Sequence, residues 1–177
     1  REKVADEYRL TEATDDAPQT FVKSCVCGAA DETGALTFEF GKTLGEYRSD
    51  DASLYTPHAL SLSIYDAKSN TYGFTWNADK VSSRPVVEIK EAGKDDSLLT
   101  IGASADEMQS YKKTSGADEA VSVYYVRAAI SLKANAEYEY RVGDKYVGAY
   151  TDYVTFKTVN PTETDSWSFA HVSDSQT

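Results

Sequence analysis

Residues 124–143, YYVRAAISLKANAEYEYRVG, decide the fold. Val126, Ala128, Ile130 and Leu132 recur at every second position, and Tyr138, Tyr140 and Val142 do the same after the polar KANAE interruption. A period of two keeps apolar side chains on one face of a pleated strand, whereas a helix needs spacings of three and four. The stretch therefore predicts two half-buried antiparallel strands. Val121 and Val123 have the opposite parity to Val126, which predicts a bulge or a change of covered face within the first strand.

The same alternation extends to both sides. Upstream, Leu60, Leu62 and Ile64 alternate with serines, the Asp66 to Asn70 segment supplies a turn, and Tyr72, Phe74 and Trp76 follow. Past Pro85, Val87 and Ile89 point inward; downstream, TDYVTFKT (151–158) is expected to turn Val154 and Phe156 inward. Residues 97–119 stay open between a strand and a helical turn over Ala105 to Lys112. TFVKSCVCG (20–28) and ALTFEFG (35–41), with Leu36, Phe38 and Phe40 alternating, predict a hairpin, and residues 45–53 read as a polar loop. Residues 1–19 are polar and read as a frayed extension or a short helix at Val4, Tyr8 and Leu10. Seven or so short strands with turn residues between them describe an all-β sandwich.

Composition narrows the partners. The 177 residues include 29 acidic and 18 basic side chains, a formal charge of −11. Phosphate backbones bind clustered Lys and Arg, so nucleic acid and anionic membrane surfaces are disfavoured. The longest apolar runs are about half of what a bilayer span needs, so no membrane insertion is expected, and Arg1 opens a polar stretch without a signal-peptide core. At 41% apolar and 12% aromatic content, including 13 Tyr, the chain is rich enough to fold.

Individual residues give few chemical signals. Cys25 and Cys27 flank Val26; a bridge between them closes a strained ring, and with no second cysteine pair or nearby His they fall short of a zinc site. They read as ordinary strand residues. His58 and His171 lie on different segments with no nucleophile signature. The pairs Asp15-Asp16, Asp50-Asp51 and Asp95-Asp96 lack the alternating spacing of a calcium loop and read as solvated turns. Tyr124, Tyr125, Tyr146, Tyr150 and Tyr153 have two readings, cross-strand packing or an exposed surface for sugars or a partner domain. Packing is favoured, with Tyr65 a reasonable exposed candidate because its parity opposes Leu62 and Ile64.

Three pieces in order carry a resemblance. TYGFTWNAD (71–79), with Trp76, resembles the second strand of fibronectin type III domains, where a Trp fills the centre between the sheets. YYVRAAISLKANAEYEYRVG, with Leu132 six residues before Tyr138, resembles the strands that carry a tyrosine corner. TDYVTFKT resembles the final strand. Followed by a linker and WSFAHVSDSQ (167–176), the succession is similar to the N-terminal module of purple acid phosphatase-like enzymes, which runs into a calcineurin-like metallophosphoesterase domain.

The expected fold is thus an all-β, fibronectin type III/immunoglobulin-like sandwich with an N-terminal β-hairpin extension. Expected boundaries are 1–19 for the extension, 20–55 for the hairpin and loop, 56–158 for the sandwich, and 159–177 for the linker and first strand of a severed catalytic domain. Read without the family, Trp167 to Val172 is an apolar strand with Asp174 at its carboxyl end, where open α/β sheets hold ligand groups. The resemblance makes Asp174 a metal ligand in the full-length parent; Gln176 stands where relatives carry His and offers only an amide oxygen. The fragment is expected to be non-catalytic and cofactor-free, with divalent metal ions in the catalytic domain. It would pack on that domain, with a homodimer contact possible, in a secreted or surface-held protein. The rival expectation is a free-standing binding or adhesion module for carbohydrate or protein.

Overall fold

A computed structural model describes residues 7–24, 38–114 and 117–160. The chain opens with β1 (Glu7–Thr11), β2 (Gln19–Ser24) and β3 (Phe38–Phe40), which form one antiparallel sheet in that order. Helix α1 (Leu44–Ser49) and a 3-10 turn (Ala52–Tyr55) follow. Next come β4 (His58–Asp66), β5 (Thr71–Ala78), β6 (Pro85–Glu91), β7 (Leu99–Gly102), β8 (Ser104–Thr114) and β9 (Ala117–Ser131). β10 (Glu137–Asp144), β11 (Ala149–Tyr150) and β12 (Val154–Lys157) close the chain.

These later strands make two sheets. One runs β4-β5-β9-β8; the other runs β7-β6-β10, with β11 and β12 pairing successive parts of β10's free edge. If β4, β5, β6, β8, β9, β10 and β12 are lettered A to G, the sheets read ABED and CFG, with β7 added beside C. That is the strand order of an immunoglobulin-like sandwich. Its core is the alternation seen in the sequence: Tyr72, Phe74 and Trp76 of β5 and Val126 of β9 meet Val87 and Ile89 of β6 and Tyr138, Tyr140 and Val142 of β10. Phe156 joins four of these rings, with centroids 5.3 Å from Tyr72, 6.3 Å from Phe74, 5.9 Å from Tyr138 and 5.5 Å from Tyr140. Aromatic contacts of this kind each add about 0.5–1.5 kcal/mol beyond the area buried.

Two local devices hold the connections. The Tyr138 hydroxyl accepts the Lys133 N–H at 3.2 Å, which ties the β9–β10 crossing to the strand it enters. In the β4–β5 turn, Asp66 accepts from the Lys68 N–H at 3.0 Å and the Ser69 hydroxyl at 2.7 Å. Asn70 then adopts a left-handed φ of 50°, and its amide donates to Leu132 O at 2.9 Å, bonding this turn to the end of β9.

Several expectations are corrected. Glu7–Thr11 is a strand bonded to β2, neither frayed nor helical, because ladder bonding to a neighbour overrides its weak periodicity. The loop expected at 45–53 contains α1, opened by a capping box: the Thr43 hydroxyl accepts the Glu46 N–H at 3.2 Å, and Glu46 accepts the Thr43 N–H at 2.7 Å. Residues 104–114 are strand throughout. Of the bulge or change of covered face expected within β9, the second occurs: β9 keeps an unbroken register with β8 but outruns β5 beyond Tyr124, and there Val121 and Val123 are half-buried on the opposite face. Val154 is exposed, since β12 borders the sheet and only Phe156 reaches the core; Ile64 is exposed beside a register shift in β4. The expected hairpin survives as the β2–β3 pairing, while Leu36, Cys25 and Cys27 lie outside the described residues.

A second, smaller core seats the N-terminal part against one end of the sandwich. Ala13, Tyr47 and Tyr55 pack on Tyr146 from the β10–β11 turn and on Ala149 of β11, the Tyr47 and Tyr146 rings lying 5.7 Å apart. Asp144, buried at the end of β10, accepts from the Ser82 N–H and hydroxyl, both at 2.7 Å, and from the Tyr146 and Val147 N–H groups of the turn. A buried carboxylate is tolerable only with such full hydrogen bonding.

Candidate functional site

The chemistry-bearing residues singled out in the sequence do not assemble into a reactive centre among the described residues. Asp174, Gln176 and His171 lie outside them. His58 faces Asp79 at 3.7 Å with both side chains in solvent. Asp50 accepts the Lys42 ammonium at 2.8 Å and the Tyr55 hydroxyl at 2.6 Å, and these bonds hold its carboxyl below the usual range. Asp51 caps the 3-10 turn through the Ser53 N–H at 3.0 Å, Asp15 pairs with Arg48 at 2.8 Å, and Asp95 pairs with Lys90. These acids serve in ion pairs and a helix cap, and among the described residues no group of three or more His, Cys, Asp or Glu is arranged to hold a metal ion.

The tyrosines divide by face. Tyr146 is buried beneath the N-terminal sheet. On the outer face of the second sheet the Arg141 guanidinium sits 4.2 Å from the Tyr150 ring centre and 4.9 Å from that of Tyr153, and pairs with Glu88 at 2.6 Å. Burial, then the Glu88 carboxylate, push the Tyr150 phenol up to about 12. Glu88 accepts from both Arg141 and the Tyr150 hydroxyl, so the ladder reads as sheet packing.

The outer face of the β4-β5-β9-β8 sheet differs. In its middle, Gly73 of β5 stands between Ser63 of β4 and Ala129 of β9, so three adjacent strands carry a hydroxymethyl, a hydrogen and a methyl. Tyr65 rises at one side, and a Cβ added at Gly73 would meet the Tyr65 Cβ at 3.7 Å. Farther along β9, Tyr125 and Arg127 stand opposite Asp106 and Ser104 of β8, and Arg127 is ion-paired to Asp106. Thr75 faces Arg127 from β5. Together these side chains enclose an open trough of about 500 Å³. Tyr65 remains 76% exposed at its edge.

Strand parity names Tyr65 as an exposed candidate, and it is exposed. Gly73, Arg127 and Tyr125 as its neighbours were not foreseen, because their adjacency depends on the register of three strands; the one available signal was a glycine within the Tyr72-Phe74-Trp76 alternation. Among the described residues no helix is long and apolar enough to cross a membrane. Compared with models of known families and with curated proteins, the chain matches none.

Proposed function

We propose that this chain is the non-catalytic N-terminal module of a secreted, metal-dependent phosphoesterase of the purple acid phosphatase kind, a fibronectin type III-like sandwich that packs on the catalytic domain and shapes access to its metal centre. The supporting observation is the pairing of two landmarks: Trp76 buried at the middle of the second sandwich strand, and the Tyr138 hydroxyl bonded to the Lys133 N–H. The end of the body adds support. Thr158, directly after β12, donates its hydroxyl to Lys133 O at 2.7 Å and accepts the Ala136 N–H at 2.9 Å, so the last strand is fastened just ahead of the linker to WSFAHVSDSQ. In this reading Asp174 supplies one metal ligand, and the remaining ligands and the divalent ions belong to the catalytic domain.

The test is hydrolysis of 4-nitrophenyl phosphate by the full gene product, supplied in turn with iron, zinc and manganese. Metal-dependent hydrolysis that Asp174→Asn abolishes is expected. A full product that cleaves no phosphate ester with any of these metals overturns the reading.

A further inference from the structure

The sandwich core is open at one corner. Leu99 of β7 stands opposite Ile89 of β6, on the face that points between the sheets, yet Leu99 is 52% exposed whereas Ile89 is buried. The cause is the reach of β8. Its pairing with β9 begins at Ser104 and Arg127, so among the described residues no strand borders β9 from Ala128 to Ser131 on that side. At this open corner lies a cleft of about 240 Å³, walled by Ile89, Leu99, Ile130, Leu132 and Tyr138, with Lys133 also lining it. Such a space is small for a free ligand and fits one large apolar side chain.

The chain itself leaves beside this cleft. The Thr158 hydroxyl donates to Lys133 O at 2.7 Å, the Asn135 N–H to Val159 O at 3.4 Å, and the Val159 N–H to the Tyr72 hydroxyl at 2.8 Å. The exit is thereby fixed as far as Val159. From Asn160 to Trp167 the chain can span at most about 25 Å, so a fold that opens at Trp167 starts within that distance of the exit. The opposite end of β10 is already covered, since Tyr47 and Tyr55 pack on Tyr146 there. A second copy of the chain is the poorer occupant, because each carries a net charge of −11 and repels the other.

We propose that this cleft is the socket by which the sandwich docks on the domain that follows it in the chain, taking one apolar side chain of that domain against Leu99 and Leu132. That domain is the catalytic one of the phosphoesterase reading, on which the docking rests.

In the full gene product, a protease site is placed within residues 161–166 and cut, and the halves are followed by size exclusion. They are expected to co-elute. Leu99→Asp should part them, while Met108→Asp, which alters an exposed apolar residue of β8 outside the cleft, should not. Before cutting, the β9 amides from Ala128 to Ser131 that face the open edge should exchange about tenfold more slowly in the full product than in the 177-residue chain. Leu99 is half exposed, so Leu99→Asp leaves the 177-residue chain folded, checked by its near-UV signal. Three results overturn the docking: halves that part in the unsubstituted product, equal retention with both substitutions, or slowed exchange confined to another face. Hydrolysis is read separately. Joined halves that cleave no phosphate ester sink the phosphoesterase reading alone, and an active enzyme whose halves part sinks the docking alone.

Discussion

The Tyr146 hydroxyl accepts the Ala13 N–H at 2.9 Å, joining residues 133 positions apart in the chain. Its single proton serves Glu12 at 2.8 Å or Gln19 at 2.9 Å, and Gln19 in turn accepts from Ser83 at 3.1 Å. One side chain in the β10–β11 turn thereby fastens the N-terminal sheet to the end of the sandwich. Arg84 reinforces the junction through Glu12 at 2.7 Å.

Tyr146→Phe keeps the ring against Tyr47 but leaves the Ala13 N–H buried without an acceptor. A loss of about 1–3 kcal/mol is expected in urea denaturation. Limited proteolysis should also release the first 55 residues faster than in the parent chain. Unchanged proteolysis would show that the second core holds the extension without this bond.

Alkaline pH should loosen the same junction. Burial, assisted by the Glu12 carboxylate, raises the Tyr146 phenol to about 12, and burial with Asp50 raises Tyr55 in the same direction. A raised phenol means that the folded chain retains protons the unfolded chain releases near pH 10. The stability contributed is therefore fully present below about pH 10 and is lost as pH climbs toward 12. Tyrosinate absorbance should show a late class ionising above pH 10 that moves down when denaturant is added.

Tyr138→Phe removes the bond to Lys133 while preserving ring packing on Phe156. About 1 kcal/mol should be lost, measured as a shift in the denaturant midpoint with an unchanged slope. Trp76→Ala, by comparison, opens a cavity between the sheets and should cost about 3–5 kcal/mol.

Gly143→Ala tests the closeness of β10 and β11. A Cβ there would fall 2.2 Å from Ala149 O and 2.6 Å from the Tyr150 ring, and a backbone carbonyl has little room to yield. A loss of about 1–3 kcal/mol is expected, accompanied by faster amide exchange at Tyr150, whose residue pairs directly with Gly143.

Much of the sandwich was legible because burial follows parity. Tyr72, Phe74, Trp76, Tyr138, Tyr140 and Val142 alternate in the sequence and are all buried in the structure. Helix α1 was legible but missed: Thr43 and Glu46 have the spacing of a capping box. The strand Glu7–Thr11 was not legible, since five residues with little alternation become a strand only through ladder bonds to β2. Of the trough, Tyr65 and Tyr125 stood out in the sequence as separate tyrosines, but not their place beside Gly73 and Arg127.

The sequence by itself determined the buried alternation of β5 and β10 and the turn between β4 and β5, because strand periodicity and turn preferences are local and act over a few neighbours. Only the tertiary structure decided that Gly73 lies between Ser63 and Ala129, that Val154 stays in solvent, and that Tyr146 reaches Ala13. Those relations join segments remote in the chain, and their geometry is set by strand register and sheet packing, which no short window of residues encodes.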